Sequence, residues 1–409
     1  MKNRLKKTFT LLLVLLWLLS AAGTAYAVSS TADTAYSQTR AHLSSMAAAN
    51  APICGSIGGE WMVIGLARSG ADTSAWAEAY YDNVKAFVDS NINASQQLHK
   101  NKSSENSRVI LGLTALGYDV TDVGGHNLLE GLTSMTYLKK QGINGPIWAL
   151  IAFDSHAYNI PVAGNSDDQV TRDKLIDYIL SQQLTDGGWA LSGTSADPDM
   201  TGMAVQSLAP YYGKKSAVTA ALNNAITCMT GMISEDGSLS SWGTVNSESC
   251  AQVITALTAL GIDPSEDTRF IKPSGNLIDT LLDFYVEDCG FAHVLESTAG
   301  YTGGAYNQMA TEQAFYALTS WYRLKNGAAS LYDMTDVTIR RAQSILYGDV
   351  NGDGYINSID AAMVYAYHNG KVTLTEGQLV GADVTKDGDV NSVDAAKIYA
   401  YHNGKISEF

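Results

Sequence analysis

The stretch DVNGDGYINSIDAAMVYAYHNGK, residues 349–371, recurs almost unchanged as DVTKDGDVNSVDAAKIYAYHNGK, residues 383–405. Each copy opens with a loop that has Asp at positions 1, 5 and 12, Gly at position 6 and Asn at position 9, and continues as an apolar helix. In EF-hand loops, Ca²⁺ takes oxygen ligands from positions 1, 3, 5, 7, 9 and 12, and Gly at position 6 permits the sharp turn. The duplication therefore predicts two Ca²⁺ sites in a small helical domain.

The predicted ligands are side-chain oxygens, except at position 7, where the backbone carbonyl is expected to serve. A threonine at position 3 of the second loop is a weaker ligand than asparagine, so we expect the second site to bind Ca²⁺ less tightly. The two ligand sets are Asp349, Asn351, Asp353, Tyr355, Asn357 and Asp360, and Asp383, Thr385, Asp387, Asp389, Asn391 and Asp394.

Residues 347–409 resemble a type I dockerin, because both loops end in Asp rather than Glu and both lead into nearly the same helix. The resemblance implies a pseudo-two-fold module that binds a cohesin domain on a scaffold protein. It also implies partner contacts at Ser358 and Ile359, and at Ser392 and Val393 in the second copy. Alternatively, the metal only holds a small domain together, since so short a module builds little core. Both interpretations can hold at once.

The N-terminus has the pattern of a secretory signal peptide. Four basic residues between Lys2 and Lys7 precede an apolar run from Leu11 to Leu19, and Ala25-Tyr26-Ala27 supplies a small-x-small cleavage site. We expect cleavage after Ala27 and a protein that is secreted and attached to an extracellular or cell-surface scaffold. A retained membrane anchor is the alternative. We expect no membrane insertion after cleavage, because no later stretch is long and apolar enough to span a bilayer.

The chain is acidic, with 41 Asp and Glu against 26 Lys and Arg, and part of this excess lies in the two loops. This balance argues against nucleic acids and anionic membrane surfaces as partners. The length of 409 residues predicts one large domain beside the small one.

Six apolar helices, each preceded by a more polar one, are predicted between residues 28 and 325. Such hairpins bury their apolar faces only by stacking, and helices that are apolar nearly all round belong inside a closed ring. We therefore predict an all-α fold, an (α/α)6 toroid, followed by a linker over 326–346; the alternative is an open solenoid. The apolar helices are Glu60–Ser69, Glu105–Leu116, Pro146–Asp154, Met200–Tyr211, Ser247–Leu260 and Ala310–Tyr322, and the preceding ones lie near 36–49, 74–90, 127–140, 170–183, 216–231 and 274–286.

The turn QQLTDGGW, residues 182–189, is similar to the repeat turn of the terpene cyclase and protein prenyltransferase superfamily. Residues 235–242 and 288–291 carry weaker versions before the fifth and sixth apolar helices. These motifs are degenerate, so the resemblance implies the toroid fold over 35–325 and leaves the reaction undetermined.

Asp197-Pro198-Asp199-Met200 partly matches the D-x-D-D acid of class II terpene cyclases. The resemblance implies Asp197 and Asp199 as catalytic candidates, with Asp199 as proton donor, although Met200 replaces the last carboxylate. Alkene protonation needs a carboxyl that its surroundings keep protonated. The alternative is a helix start, with Asp197 as N-cap, Pro198 at the first position and Asp199 in the first turn.

The four cysteines do not have the spacing of a zinc site, and we predict none. Glu248-Ser249-Cys250 is similar to the D-x-C zinc motif of prenyltransferases, but the sixth apolar helix offers no histidine. The toroid places Cys54 and Cys289 before neighbouring inner helices, and Cys228 and Cys250 on one hairpin, so each pair is a possible disulfide. Four reduced thiols are the alternative.

Aromatic and acidic residues recur where the inner helices begin, at one mouth of the predicted cavity. Trp61, Trp148, Glu248, Tyr306 and Glu312 are the main rim candidates; Glu60, Trp189, Asp197, Asp199, Trp242 and Tyr301 belong to the same set. Aromatic rings with a few carboxylates suit a glycan or a small apolar ligand. The tryptophans can instead pack repeat turns, above all Trp189 and Trp242.

Two functions compete for the toroid. The first is a ligand-binding module in polysaccharide degradation or adhesion, displayed on the scaffold. The second is an enzyme, either a glycan-active hydrolase or lyase or a class II terpene cyclase-like enzyme that uses an Asp acid. The sequence shows no convincing pair of glycosidase carboxylates, so we favour binding.

Overall fold

The computed structural model describes residues 31–340 and 346–409, which belong to two compact units, Met1–Ile339 and Arg340–Phe409. The signal peptide predicted over 1–27 lies outside the described residues. The first unit is built of six helical hairpins. The first helices of the hairpins are α1 (31–49), α3 (Ala77–Asn91), α5 (Met135–Leu138), α7 (Arg172–Ser181), α9 (Ser216–Met232) and α11 (Leu277–Leu282), and the second are α2 (Glu60–Arg68), α4 (Ser104–Ala115), α6 (Asn144–Ser155), α8 (Pro198–Leu208), α10 (Ser247–Ala259) and α12 (Gln308–Lys325).

The second helices of the hairpins form a closed inner ring. In chain order, α2 packs on α4, α4 on α6, α6 on α8, α8 on α10, α10 on α12, and α12 back on α2. The contact between the last helix and the first confirms the (α/α)6 toroid and rules out an open solenoid. The inner helices run parallel, so their N-terminal ends surround one mouth of the ring and their C-terminal ends surround the other.

Burial explains which helix of each hairpin lies inside. Helix α6 is buried on every side from Gly145 to Phe153, as its nearly unbroken apolar sequence requires. Helix α3 instead buries a single stripe, Ala77, Tyr80, Val84 and Val88, at the spacing of an amphipathic surface helix. Two short β-hairpins, β1 (Ser240–Ser241) with β2 (Thr244–Val245) and β3 (Tyr285–Val286) with β4 (Gly290–Phe291), lead towards α10 and α12.

The third and sixth outer helices are shorter than predicted. Over 127–140 the chain forms only the one-turn helix α5 and flanking 3₁₀ turns. A side chain at Gly131 would come within 2.1 Å of the Gln96 carbonyl, and Ser134 adopts an extended backbone where it caps α5. Over 274–286 the helix starts at the Asn276 capping box and gives way to β3 at Tyr285. Close packing and local capping override the apolar periodicity at both places.

The chain after α12 does not leave the toroid where we predicted a linker. Residues 328–337, here called the strap, cross the mouth formed by the C-terminal ends of the inner helices. Leu331 and Met334 are buried, and Met334 N donates to Ser155 O at 2.7 Å. At Gly117, which has φ +79°, a Cβ would lie 2.6 Å from Thr338 O. These contacts assign the strap to the toroid, so the expected linker over 326–346 is wrong in its first half.

The described part of the second unit contains three helices, α13 (Ser358–His368), α14 (Glu376–Ala382) and α15 (Ser392–His402). Helices α13 and α15 pack against each other, and both begin with the same capping box, Asn357 with Asp360 and Asn391 with Asp394. The core of this unit is small, and its buried members are Val350, Ala361, Val364, Ala382, Val384, Ala395 and Ile398.

Candidate functional site

Asp197 and Asp199 occupy the start of α8 but have different surroundings. Asp197 is the N-cap, and its Oδ1 accepts a hydrogen bond from Met200 N at 2.8 Å, with Pro198 at the first helical position. This is the geometry that the helix-start interpretation requires. Asp199 lies in the first turn and lines a cavity at the N-terminal mouth of the ring.

The cavity around Asp199 has a volume of about 350 Å³. Helices α8, α10 and α12 supply one wall each, and the β1–β2 hairpin and a histidine from the loop after β4 complete it. Its lining residues are Asp199, Met203, Ser241, Trp242, Thr244, Asn246, Glu248, Gln252, His293, Met309 and Gln313. Of the predicted candidates, the structure brings Asp199, Glu248 and Trp242 together here.

Glu248 forms an acid–imidazole pair in the cavity wall. Its Oε2 lies 2.8 Å from His293 Nδ1 and accepts a hydrogen bond from Ser247 Oγ at 3.1 Å. The Tyr301 ring packs on the His293 ring, with centroids 4.1 Å apart, and so fixes the imidazole plane. The sequence did not predict His293, because it lies 45 residues after Glu248 and only the fold brings the two together.

Several buried polar atoms in this cavity have no hydrogen-bond partner. They are one oxygen of each acid, Asp199 Oδ1 and Glu248 Oε1, and the hydroxyl of Ser241. The hydroxyl of Ser249, which does not line the cavity, is also without a partner. Burial raises the pKa of Asp199, and the Ser249 and Ser241 hydroxyls offset part of that rise because they lie near the carboxyl, although neither makes a well-formed hydrogen bond. Unpartnered buried polar atoms are uncommon because each loses its hydration without compensation. Their convergence here marks a place where a polar ligand would be stabilised.

Trp242 stands at the edge of this cavity and is 80% exposed. It occupies the turn between β1 and β2 with φ +53°, a conformation that bulky residues rarely adopt. Trp189, in the related earlier turn, is fully buried and donates from Nε1 to Ile179 O at 2.8 Å. Trp189 therefore packs inside its turn, as the packing interpretation expects, whereas the Trp242 side chain is accessible to a ligand.

A chain of amides leads from the cavity into the ring. Gln252 Nε2 donates to Tyr316 OH at 2.6 Å and to Gln313 Oε1 at 3.2 Å. Gln206 Nε2 donates in turn to Gln252 Oε1 at 2.9 Å. These bonds hold the cavity floor, so its shape is set before a ligand arrives.

The other rim candidates lie elsewhere. Trp61 and Trp148 meet inside the ring, with centroids 5.0 Å apart, and fill its axis together with Tyr316. Tyr306 packs against α1, where its ring lies 5.4 Å from that of His42. The five main rim candidates therefore do not line one common cavity. Only Glu248 among them lines the cavity around Asp199.

Glu312 and Glu60 are both fully buried at inner-helix starts. Glu312 Oε1 accepts from Gly58 N at 2.8 Å, whereas its Oε2 has no partner. Burial raises the pKa of Glu312 to about 7. Glu60 is paired with Arg108 at 2.6 Å and accepts from Gly55 N at 3.0 Å, which makes it part of the framework.

All four cysteines are free thiols in the structure. Cys250 is buried and its Sγ lies 3.4 Å from Leu277 O, and Cys228 Sγ lies against Gly188. Burial raises the pKa of Cys228 to about 11. The pairings Cys54–Cys289 and Cys228–Cys250 stay predictions.

In the second unit, the acids of both loops accept hydrogen bonds from the loop backbone. Asp349 Oδ2 accepts from Gly354 N at 2.8 Å, and Asp383 Oδ2 accepts from Gly388 N at 2.9 Å. Asp360 and Asp394 are fully buried. Across residues 31–340 and 346–409, no three His, Cys, Asp or Glu side chains form a group that could hold a metal ion. The donors at the predicted loop positions are nevertheless all oxygens, which fits Ca²⁺.

The predicted partner-binding residues lie on the surface of the second unit. Ser358 and Ser392 are exposed, as are Ile359 and Val393, with exposed fractions of 57% and 54%. Tyr365 and Tyr399, one equivalent pair further along α13 and α15, are also more than half exposed. We did not select these tyrosines from the sequence. The repeat could have indicated them, because it has a tyrosine at the equivalent position of both copies.

Residues 347–401 match the family of the dockerin type I domain. The C-terminal unit is therefore a type I dockerin, a module that docks onto cohesin domains in cellulosome-type assemblies, as the repeated loop and helix predicted. Type I dockerins as a class bind calcium.

Among solved structures, the ent-copalyl diphosphate synthase from Streptomyces platensis is similar, with a TM-score of 0.40 and 18% sequence identity. The alignment covers 66% of this chain and 50% of that chain, so this protein spans about half the length of the synthase. No curated protein matches this chain. Within the described ranges, no helix is both long and apolar enough to cross a membrane.

Proposed function

We propose that this protein is a secreted component of a cohesin scaffold, whose toroid binds a glycan in the cavity around Asp199. The dockerin supports attachment to the scaffold. The observation that carries the binding role is the exposed Trp242 beside buried carboxylate oxygens that have no partner. A role in polysaccharide degradation or adhesion follows from this combination.

The chemistry of the cavity suits a sugar better than an apolar ligand. Sugar hydroxyls donate hydrogen bonds, and Asp199 Oδ1 and Glu248 Oε1 are acceptors without donors. The apolar face of a sugar ring can pack on an exposed indole such as Trp242. An apolar ligand would leave the same carboxyl oxygens buried and unpartnered, which costs free energy.

The dockerin loops supply the second half of the function. Two Ca²⁺ ions, held by the predicted oxygen ligands, would contribute folding free energy to a unit with a very small core. Ile359 and Val393, with the serines that precede them, would then offer two equivalent surfaces to a cohesin. An apolar side chain left exposed in both copies supports this assignment.

Titration of the toroid with soluble plant and host oligosaccharides tests the binding role. We expect Trp242→Ala to weaken binding of the retained oligosaccharide about tenfold, because the ring contact is lost from an open edge that needs no refolding. Tyr212→Ala removes a partly exposed aromatic outside the cavity and should leave binding unchanged. Equal oligosaccharide binding by wild type, Trp242→Ala and Tyr212→Ala would refute this site.

An enzymatic role for the same cavity is the second candidate, and the raised pKa of Asp199 favours it. A carboxyl whose pKa is raised is better suited to act as a general acid, and the Glu248–His293 pair would be the proton acceptor in the same cavity. In that case Asp199→Asn would abolish product formation while oligosaccharide binding persists. Met200 stands where the cyclase motif has its last carboxylate, and this difference weighs against cyclase chemistry.

A further inference from the structure

A second cavity, of about 660 Å³, lies at the opposite mouth of the toroid, where the inner helices end. Asp154 of α6, Gln206 of α8 and Thr255 of α10 line it on one side. Tyr332 of the strap lines it on the other. It shares no lining residue with the cavity around Asp199. Its volume is that of an ordinary small-molecule site.

Two residues that line this second cavity each have a buried polar atom without a hydrogen-bond partner, Gln206 Oε1 and Tyr332 OH. Gln206 is only 5% exposed, and its Nε2 donates to Gln252 Oε1 at 2.9 Å. Because Nε2 makes that bond, the amide atom without a partner is the acceptor Oε1. The Tyr332 hydroxyl can both donate and accept. A ligand that satisfies both atoms must donate a hydrogen bond to Gln206 and can bond to Tyr332 in either sense.

The charges of the second cavity are balanced. Asp154 is paired with Arg172 at 2.6 Å and accepts from Tyr211 OH at 2.7 Å, so this acid is already satisfied. Lys214 and Asp333, which also line the cavity, are opposite in sign. The charged residues of the wall therefore add up to no net charge that would favour an anion or a cation, and burying an unmatched ionic group here would be unfavourable.

The strap makes this cavity a preformed one. The Arg68 guanidinium, almost fully buried, donates to Leu331 O at 3.0 Å and to Asp333 O at 2.7 Å. The ring of Tyr332 packs edge-on against Trp148, with centroids 5.9 Å apart. The hydroxyl of Tyr332 is thus held in place by contacts on both sides of the residue, without a ligand.

We propose that the second cavity binds a neutral, hydroxyl-bearing ligand of the sugar or polyol class. Hydroxyls of such a ligand can donate to Gln206 Oε1 and can either donate to or accept from Tyr332 OH, the two polar atoms that have no partner within the protein. The apolar walls, such as Ile151 and Leu331, would cover the carbon skeleton of the ligand. This inference does not depend on the function proposed for the cavity around Asp199.

The test is titration calorimetry of the full chain with D-glucose, cellobiose and glycerol, and with inorganic phosphate as an anionic probe. We expect a neutral probe to bind and phosphate not to bind. Tyr332→Phe should weaken that binding about fivefold, which corresponds to one lost hydrogen bond. The same variant should unfold at a higher temperature than the wild type, because a buried hydroxyl without a partner has been removed.

Tyr158→Phe is the matched control, since its hydroxyl lies 2.9 Å from Thr114 Oγ1 and does not line the cavity. It should leave binding unchanged and should not raise the unfolding temperature. Trp242→Ala should also leave this binding unchanged, which separates the two cavities. The proposal is overturned if no neutral probe binds, if phosphate binds in their place, or if binding survives Tyr332→Phe unweakened.

Discussion

At the scale of single residues, carboxyls near the starts of inner helices differ in chemistry because their partners differ. Glu60 is paired with Arg108, and Glu248 is in hydrogen-bond contact with His293. Asp199 and Glu312 each keep one buried oxygen without a partner. Similar helix positions therefore give a structural ion pair, an oriented imidazole and two carboxyls whose pKa burial raises.

Glu312 makes stability depend on pH in a predictable direction. Its pKa of about 7 exceeds the ordinary glutamate value, so the folded chain holds a proton that the unfolded chain releases at mildly acidic pH. The free energy of unfolding should therefore fall as pH rises towards 7, by about 3 kcal/mol in total from this group. Glu312→Gln cannot ionise, so it should unfold at a higher temperature than wild type at pH 8.

Thermal unfolding of both proteins between pH 5 and 8 measures this effect. The variant should lose less stability than wild type across that range, and the two curves should diverge as pH rises. Glu235→Gln, at an exposed position, is the control and should follow the wild-type curve. Parallel curves for Glu312→Gln and wild type would show that the buried carboxyl does not take up a proton on folding.

The site was partly predictable at this scale. Asp199, Glu248 and Trp242 could be selected from the sequence because they lie where apolar helices or repeat turns begin. His293 could not, since its role depends on a contact with Glu248 across 45 residues. The exposure of Trp242 could not be predicted from the sequence either, because the same kind of turn buries Trp189 completely.

At the scale of elements, the strap is the feature that the sequence analysis misjudged. Gly327, two alanines and Ser330 look like a flexible linker when read alone. Two arginines of other elements, Arg68 and Arg323, hold this segment by hydrogen bonds. No local sequence pattern predicts these hydrogen bonds. The broken third outer helix has a similar cause, because contacts with distant backbone decide it.

Removing the strap's acidic anchor should destabilise the toroid. Asp336 binds Arg68 at 2.6 Å and Arg323 at 2.6 Å, and the Arg68 side chain is only 4% exposed. Asp336→Ala leaves a buried guanidinium without its counter-charge, which we expect to cost about 1–2 kcal/mol. Denaturant unfolding measures the difference.

The matched control for the strap is Asp82→Ala, which breaks the exposed pair with Lys85 on the surface of α3. An exposed ion pair contributes little, so this change should cost about 0.5 kcal/mol or less. If Asp336→Ala is as mild as the control, the strap does not depend on its arginine anchors.

At the scale of the whole molecule, composition and repetition predicted most of the architecture. The duplicated loop predicted the dockerin, whose family match covers residues 347–401, because metal-loop spacing is strict. The six apolar helices predicted the ring, because helices that are apolar all round must be enclosed. The division of the ring into two end cavities was not predictable, since it depends on how Trp61 and Trp148 meet at the axis.

The central claim is that one chain joins a cohesin-binding dockerin to a toroid that binds a glycan. Native mass spectrometry of the full chain with Ca²⁺, a type I cohesin and pooled glycans tests it most directly. We predict a ternary complex, in which Trp242→Ala lowers glycan occupancy alone and a double Asp360→Ala, Asp394→Ala change abolishes cohesin binding alone. A chain that binds cohesin but retains no glycan, in wild type and variants alike, would contradict the account.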